Sequence, residues 1–357
     1  MSPVHRNHGC RLRQYQYDGQ RLLFLENELL RVGVLMDKGA DIFEFLFKPQ
    51  DTEFMLHTPR GIRRPAVQST ASTTWGSFLD YYEGGWQEIL PNGGPPCTYK
   101  GVEFGLHGEI STIPWQYHIE SDTVELIRVT LEVRPFRTPL HLRKSLTLRR
   151  GEPVLSIEET LENEGGEAID FMWGHHPAFG APFLSPRCRV DLPQGDLLLE
   201  VFEDGSGTRI NVGGRHSWPI VPGCGGSSID FSRPDPQGAG NEDLGYVVNL
   251  PKGWYALTNQ DTQVGFALWW SLETFPYLWI WRQFNQSAGY PWYGRVYTMA
   301  LEPWSSYPSA GLLQAIDNGT ARVLEPQQSL RASLRAIAYQ GIRRVDDVSS
   351  SGEVTAR

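Results

Sequence analysis

The stretch LHLRKSLTLRRGEPVLSIEETLEN, residues 140–163, decides the fold class. Within it, LHLRKSLTL and VLSIEETLE alternate apolar and polar residues, so each segment can turn one face to a core and the other outward. The RGE between them interrupts the alternation as a turn does. The stretch therefore predicts two neighbouring strands of an antiparallel sheet.

Similar strand signals continue along the chain. ELLRVGVLM and IFEFLFK, separated by DKGAD, predict a hairpin with a Gly in its turn. Further strands are predicted at TVELIRVTLEV, AIDFMWGHH, GWYALTN, VGFALWWS, YLWIWRQF, RVYTMALEPW and SLRASLRAIAY. Turn signals recur about every ten residues, the pattern of a large sandwich or barrel. The one helix candidate is the short SAGLLQAIDNG.

The domain organisation predicted from this pattern is a single all-β domain over residues 1–343. No linker rich enough in Gly, Ser or Pro divides the chain, and no repeat of fixed period is present. Residues 344–357 are polar and lack aromatic side chains, so we expect a disordered C-terminal tail.

Composition narrows the possible partners and cofactors. A net charge of −9 argues against nucleic acid and anionic membranes. No apolar run approaches the roughly 20 residues that span a bilayer, and the first 20 residues lack the apolar core of a signal peptide. The four cysteines have no metal-binding spacing, which favours reduced thiols and a cytoplasmic protein. The chain has no phosphate-binding loop, no dinucleotide fingerprint and no nucleophile elbow, so we expect no cofactor.

The paired histidines in FMWGHHPAFGAPF, residues 171–183, are the first candidate for chemistry. Adjacent residues of a strand point to opposite faces, so His175 and His176 cannot easily bind one metal ion. At most one of them can face a cleft, and a packed histidine is the alternative reading. A metal site that adds His107 from FGLHGEISTIPW remains open at this stage.

Glu302 in MALEPWSSYP is the second candidate. A carboxylate at the end of an apolar strand is costly to bury, and burial would raise its pKa. The alternative is a solvated carboxylate at a strand end. A carboxyl group of raised pKa and an imidazole are together the two groups that proton transfer near neutral pH requires.

These segments resemble the aldose 1-epimerase (mutarotase) family of the galactose mutarotase-like superfamily. The likeness rests on VGVLMDKGADIFEFLFKP, GLHGEISTIPW, GHHPAF and LEPW, which occur in family order across roughly residues 20–340. The resemblance implies a β-supersandwich that interconverts the α and β anomers of a free sugar. In it, Glu302 acts as base on the anomeric hydroxyl and His176 as acid on the ring oxygen.

Six further residues are candidates for substrate binding, and the resemblance implies the first two of them. His107 would bind a sugar hydroxyl, and Asp243 is the candidate for a hydroxyl-binding aspartate. Gln87 takes a place where the family's substrate-binding arginine is not recognisable. The remaining candidates are Trp281 as part of an aromatic wall, the adjacent cation Arg282, and His175, the first of the paired histidines.

One departure from the family pattern concerns phosphate. Members that act on sugar phosphates resemble HGFAR, whereas this chain has HGEIS, with Ser111 in place of the arginine and Glu109 beside it. Phosphate recognition favours Arg or a helix N-terminus, so we expect an unphosphorylated sugar.

Two rival hypotheses remain open from the sequence. One is a non-catalytic carbohydrate-binding or sensor protein of the same fold, favoured by the 12 Trp and the missing arginine. The other is a metal-dependent lyase or isomerase built on His107, His175 and His176. The expected partner is a small carbohydrate, and the expected assembly is a monomer or homodimer.

Overall fold

The computed structural model describes residues 6–65, 76–199, 209–210, 214–286 and 288–357. Two large sheets, of twelve and eight strands, form most of the molecule, and every pairing of strands in them is antiparallel. The all-β antiparallel sandwich predicted from the sequence is confirmed.

The strands of the first half of the chain are β1 (Arg11–Tyr17), β2 (Gln20–Glu26), β3 (Leu30–Leu35), β4 (Asp41–Phe47), β5 (Thr52–Glu53), β6 (Trp86–Ile89), β7 (Cys97–Tyr99), β8 (Val102–Phe104), β9 (Gln116–Asp122), β10 (Leu126–Val133), β11 (Leu140–Arg149), β12 (Val154–Asn163), β13 (Ile169–Phe171) and β14 (Gly174–Gly180). Those of the second half are β15 (Cys188–Asp191), β16 (Asp196–Leu199), β17 (Arg215–Ser217), β18 (Ile220–Pro222), β19 (Ser228–Asp230), β20 (Asn241–Val248), β21 (Trp254–Asn259), β22 (Val264–Trp270), β23 (Tyr277–Phe284), β24 (Tyr297–Trp304), β25 (Arg322–Leu324), β26 (Ser329–Gln340), β27 (Val345–Val348) and β28 (Val354–Ala356). The short helices are α1 (Gly76–Leu79) and α2 (Leu312–Asp317), with 3₁₀ turns at Lys48–Gln50 and Cys224–Gly226.

Strand order places β14, from the middle of the chain, at the centre of the twelve-stranded sheet. The twelve-stranded sheet runs β1-β2-β3-β4-β6-β14-β24-β23-β20-β16-β17, with β5 paired to β4. The eight-stranded sheet runs β15-β21-β22-β26-β12-β11-β10-β9. Strand β14 therefore lies between β6 and β24, and both of its edges are hydrogen-bonded.

The alternation in residues 140–163 sets how the two sheets face each other. Strands β11 and β12 pair in register, and Leu142, Leu146 and Ile157 are buried on their inner face. Aromatic side chains from both sheets meet in the core between them, as where the rings of Phe45 and Phe266 lie 5.2 Å apart. This burial of apolar area against the opposite sheet is the main source of stability in such a sandwich.

The segment 168–176, predicted as one strand, is divided in the structure. Strand β13 pairs with β25 in a separate two-stranded sheet, and the chain then enters β14 after Met172 and Trp173. Trp173 is buried, and its backbone N–H donates a hydrogen bond to Ser305 Oγ. Because of this step between sheets, Gly174 begins a strand in which all seven residues are buried.

The C-terminal residues require a correction. The sequence predicted a disordered tail over 344–357, yet β27 and β28 pair as a hairpin. Val345 and Val348 are buried against Trp254 and Tyr339 on the outer face of the eight-stranded sheet. Two valines three residues apart gave too little pattern to outweigh the polar composition. The single-domain interpretation stays a prediction.

The four cysteines are unpaired in the structure, and two of them, Cys10 and Cys188, are buried. Within the described ranges, no helix combines the length and hydrophobicity that a membrane-spanning helix needs.

Candidate functional site

His176 and Glu302 lie side by side at the centre of the twelve-stranded sheet. The register of β14 with β24 pairs Gly174 with Trp304 and Ala178 with Ala300, so His176 is opposite Glu302. Directly opposed residues of an antiparallel pair point to the same face. Their side chains meet with Nε2 of the imidazole 3.5 Å from Oε1 of the carboxyl group.

The pair forms part of the lining of a cavity of about 350 Å³. That volume falls within the range of small-molecule sites, about 300–1,000 Å³. Most of the lining is aromatic or aliphatic, with few polar groups. The lining residues are Phe78, Leu79, Tyr82, Gly94, Pro95, Leu106, His107, His176, Glu242, Leu244, Trp279, Trp281, Pro291, Trp292, Glu302 and Ser309.

The structure divides the eight candidate residues equally. Strand alternation turns every second side chain toward the cavity and the others to the opposite face. Four candidates line the cavity, namely Glu302, His176, His107 and Trp281. The other four, Asp243, Arg282, Gln87 and His175, do not line it.

The structure places Asp243 and Arg282, two members of the predicted binding set, outside the lining of the cavity. They are opposite each other on β20 and β23 and face away from the cavity, because Glu242 and Trp281 take the cavity-facing positions. Both are buried in an ion cluster in which the Arg282 guanidinium lies 3.5 Å from Asp243 and Arg209 lies 2.8 Å from the same carboxylate. The guanidinium also lies over the ring of Phe231. The cluster has a structural role.

Gln87 also lies outside the lining of the cavity. It is opposite His176 in the pairing of β6 with β14 and therefore points to the same face. Its amide instead donates to the carbonyl of Gly84 and to the carboxyl groups of Asp41 and Glu83, which lie beneath the neighbouring turn. These hydrogen bonds hold the side chain against Gly84 and Asp41, so it does not line the cavity.

His175 points to the side of β14 opposite His176, as strand geometry predicted, and belongs to the core between the sheets. Its Nε2 lies 3.1 Å from Glu159 of β12, and its Nδ1 accepts a hydrogen bond from the Trp86 indole. The structure therefore places His175 outside the lining of the cavity. It also follows that His175 cannot share a metal ion with His176 and His107.

Burial controls the proton affinities of the pair. It raises the pKa of Glu302 to about 8, although a hydrogen bond from Trp304 acts in the opposite direction. It lowers the pKa of His176 to about 4, because the imidazolium would lose its hydration. Between these two values the pair holds one proton, and its two protonation steps belong to the pair as a unit.

Trp304 orients the carboxyl group of Glu302. Its indole N–H donates to Oε2 at 3.0 Å, and its ring stacks on that of Trp279 at 4.1 Å. The stacked rings leave no room above Gly174, where an added Cβ would come within 2.2 Å of the Trp304 indole. The Gly of the GHHP motif is thus required by the ring that positions Glu302.

His107 lies at the end of a tight turn that brings it over the pair. Its φ of 58° is in the left-handed region, and its backbone N–H bonds the carbonyl of Gly94. Its ring packs 4.7 Å from that of Phe78 and 5.8 Å from that of His176. Burial, together with the neighbouring His176, lowers the pKa of His107 to about 3, so it is a neutral hydrogen-bonding group.

Sequence reasoning missed Glu242, the remaining acidic residue of the cavity. It accepts a hydrogen bond from the indole of Trp281 at 3.2 Å. Trp279 and Trp292 were missed as wall residues as well, although both lie in the aromatic segment 279–294 that was expected to form a cleft wall. The alternation of YLWIWRQF could have selected Trp279 with Trp281.

Two loops that form the cavity rim are joined by Arg60. Its guanidinium donates to the carbonyls of Leu79 at 2.6 Å and Pro291 at 2.8 Å. It also lies over the ring of Tyr290, whose hydroxyl bonds Asp80. The rim is thereby attached across the cavity mouth independently of the sheet that carries His176 and Glu302.

The fold and the cavity define a β-sandwich protein with a buried carboxyl–imidazole pair. The chain belongs to the DUF4432 family, a domain of unknown function, whose sequence profile matches residues 17–200, slightly more than half of the chain. A search of curated protein sequences finds no match.

Solved structures share the fold at low sequence identity. A Klebsiella pneumoniae protein provisionally named an aldose 1-epimerase superposes with a TM-score of 0.72 at 16% identity, covering 92% of this chain and 83% of its own. A Clostridium acetobutylicum galactose mutarotase-like protein gives 0.60 at 12% identity, covering 93% and 99%. A galactose mutarotase related enzyme from Lactobacillus acidophilus gives 0.58 at 16% identity, covering 92% and 98%. The chain thus has the β-sandwich fold of galactose mutarotase-like proteins.

Proposed function

We propose that this protein is an aldose 1-epimerase-type isomerase that interconverts the anomers of an uncharged sugar. The observation that carries the proposal is the contact of His176 with Glu302, 3.5 Å apart on the floor of an aromatic-walled cavity. The two oxygens of a hemiacetal are bonded to one carbon, so two adjacent proton carriers can reach both.

One proton on the pair is sufficient for a complete reaction cycle. One group removes the proton of the anomeric hydroxyl while the other protonates the ring oxygen, so the ring C–O bond breaks as the aldehyde forms. Rotation about C1–C2 and closure with the proton transfers reversed give the other anomer. Each group therefore acts once as acid and once as base.

The pKa values favour Glu302 as the group that holds the proton before the sugar binds. Burial raises the pKa of Glu302 and lowers that of His176, so the neutral acid and neutral imidazole are the preferred forms near pH 7. The resemblance implies that Glu302 acts first as the base. That assignment describes the same pair of residues, but with the shared proton on His176 before the sugar binds. Both assignments lead to the same products.

The lining supports an uncharged sugar as substrate. Among the described residues, no Lys or Arg lines the cavity, and the residues outside the described ranges include neither. Phosphate or carboxylate recognition in a buried site requires cations or a helix N-terminus. Trp281 and Trp292 offer flat apolar faces to a pyranose ring, while His107 and Glu242 can bind hydroxyl groups.

The experiment measures anomer exchange by NMR for a panel of aldoses and their 6-phosphates. We expect acceleration over buffer for at least one unphosphorylated sugar and none for the phosphates. Glu302→Gln and His176→Asn should each lower kcat by about 100- to 10,000-fold. Glu242→Gln is the matched control in the same cavity and should act mainly on KM.

Two results would contradict the proposal. A folded wild-type protein that accelerates no sugar removes the enzyme. Saturable sugar binding without acceleration, unchanged in Glu302→Gln and His176→Asn, would identify the non-catalytic carbohydrate-binding alternative instead.

A further inference from the structure

A second group of buried ionisable residues lies on the reverse side of β14. Glu88 of β6, Lys144 of β11, Glu159 of β12 and His175 of β14 meet between the two sheets, and we call them the inter-sheet cluster. Each is at most 5% exposed. Lys144 and Glu159 are opposite each other in the β11–β12 pair and occupy core-facing positions that aliphatic residues fill elsewhere in these strands.

Hydrogen bonds fix the tautomer of His175. The indole N–H of Trp86 donates to Nδ1 at 3.2 Å, and an indole nitrogen can only donate. Nδ1 therefore carries no proton, and the proton of the neutral ring is on Nε2. From there it is donated to Glu159 Oε2, 3.1 Å away. Both ring nitrogens are satisfied, one within the twelve-stranded sheet and one across to the other sheet.

Within the inter-sheet cluster, Lys144 is the ion-pair partner of Glu88. Lys144 Nζ donates to Glu88 Oε2 at 2.8 Å and lies 4.6 Å from the centre of the Trp115 ring. The other Glu88 oxygen accepts the indole N–H of Trp173 at 2.8 Å. Burial alone would raise the pKa of Glu88, but the Lys144 ammonium and these hydrogen bonds hold it below its usual range. Burial and the neighbouring Glu88 raise the pKa of Glu159.

A metal ion does not fit this arrangement. Ligand atoms of Glu88, Glu159 and His175 do lie within 4.8 Å of one another. Binding through Nε2 would move the ring proton to Nδ1, where the Trp86 N–H already donates. The Lys144 ammonium already supplies the positive charge that Glu88 requires. The residues instead form a hydrogen-bond network that joins the two sheets.

His176 has no comparable attachment of its own ring. Among the described residues, its Nδ1 has no hydrogen-bond partner. Its side chain contacts the aromatic rings of Phe78, Tyr82 and Trp281. Packing limits the rotation of the His176 ring. How far the ring reaches toward Glu302 depends on the position of the β14 backbone, which the adjacent His175 attaches to the opposite sheet.

We propose that His175 is a positioning residue: its hydrogen bonds to Trp86 and Glu159 fix β14 and thereby hold His176 against Glu302. This role rests on the proposed function, because the geometry it protects is that of the acid/base pair. A displacement of a reacting group by about 1 Å can lower a rate on the order of 100-fold. The inter-sheet cluster therefore contributes to turnover from the far side of the strand.

The test compares Glu159→Leu with Glu159→Gln. The leucine removes the acceptor for His175 Nε2, whereas the glutamine keeps an acceptor oxygen of the same length. We expect Glu159→Leu to lower kcat for anomer exchange about 10- to 100-fold with KM changed less than about twofold, and Glu159→Gln to restore most of the rate. A Glu159→Leu protein that folds and turns over at the wild-type rate overturns the proposal.

Side-chain ¹⁵N NMR of the histidines gives a readout independent of activity. Wild-type His175 should show the Nε2–H tautomer, Trp86→Phe should abolish that fixed tautomer, and Glu159→Leu should shift the signals of His176 while Glu159→Gln should not. An Nδ1–H tautomer in the wild type, or unshifted His176 signals in Glu159→Leu, overturns the proposal. If the wild type accelerates no sugar but these shifts occur, the proposed function fails and the positioning of His176 stands.

Discussion

Two buried histidine–glutamate pairs lie back to back on one strand. On the inner side of β14, His175 lies 3.1 Å from Glu159; on the cavity side, the next residue, His176, lies 3.5 Å from Glu302. The residue types, burial and spacing are nearly the same. Their surroundings differ, and that difference separates a structural pair from a candidate acid/base pair.

The two histidine rings differ in how fully they are hydrogen-bonded. Both nitrogens of His175 have partners, and Lys144 pairs with the neighbouring Glu88 carboxylate. His176 leaves Nδ1 unpartnered among the described residues, and no cation lines the described part of the cavity beside Glu302. Buried polar groups left unsatisfied are costly, so an incomplete pair facing a cavity indicates a place where a ligand supplies the missing contacts.

The largest expected effect is a loss of stability in the Lys144→Met variant. It tests whether the inner pair, unlike the cavity pair, depends on a buried cation. Methionine has a similar volume but leaves the Glu88 carboxylate buried without its charge partner. We expect the free energy of unfolding to fall by about 3–5 kcal/mol, measured by urea denaturation at pH 7. Glu302→Gln should show no such loss, because no buried cation depends on that carboxyl group.

The double variant Lys144→Met/Glu88→Gln is the control for this prediction. The neutral amide still accepts the Trp173 N–H and needs no cation, so most of the lost stability should return. If Lys144→Met alone lowers the free energy of unfolding by less than about 1 kcal/mol, the ion pair of Lys144 with Glu88 does not stabilise the fold.

Much of the fold could be predicted because period-2 alternation is strong in half-buried strands. It identified β3, β4, β11 and β12, and it also separated His175 from His176. Asp243 on β20 was a candidate through the resemblance alone, and alternation gave no guidance there, because six of the eight residues of that strand are buried and no polar side marks its phase. There the structure brings the adjacent Glu242 into the cavity.

The inter-sheet cluster did leave a signal in the sequence. In LHLRKSLTL the lysine occupies the apolar phase of the strand, between Leu142 and Leu146, and Glu159 does the same between Ile157 and Leu161. A charge in a core-facing position predicts a buried partner. The identity of that partner depends on which strands face each other across the sandwich, and spacing along one chain does not contain that information.

The second prediction sharpens the comparison through pH. Because the cavity pair should hold one proton between pH values of about 4 and 8, kcat/KM for anomer exchange should be bell-shaped with limbs near those values. Below about 4, His176 is protonated and no base remains. Above about 8, Glu302 is ionised and no acid remains. Each limb should fall about tenfold per pH unit.

Polarimetry of anomer exchange with buffer rates subtracted measures this profile. The residual activity of Glu302→Gln should have no alkaline limb near pH 8, because the titrating carboxyl group is gone. The assignment of the limb to Glu302 would be contradicted if the limb persisted in that variant. It would also be contradicted if the rate of the folded wild type did not change between pH 5 and pH 10.

The smallest expected effect separates the floor of the cavity from its rim. Arg60→Gln removes the bonds that join the loops of Leu79 and Pro291, while His176 and Glu302 stay fixed by the sheet. Two lost hydrogen bonds of about 1 kcal/mol each, partly offset by the remaining packing, correspond to a rise in KM of roughly five- to tenfold. That change should fall on KM, with kcat maintained.

Arg63→Gln is the matched control for the rim. Arg63 is three residues away, and within the described residues its guanidinium donates to the backbone carbonyl of Arg60, so its replacement should leave KM unchanged. Steady-state kinetics of both variants on one sugar decide the result. If Arg60→Gln lowers kcat as strongly as it raises KM, the rim also controls the geometry of the pair, and the sheet alone does not set the contact between His176 and Glu302.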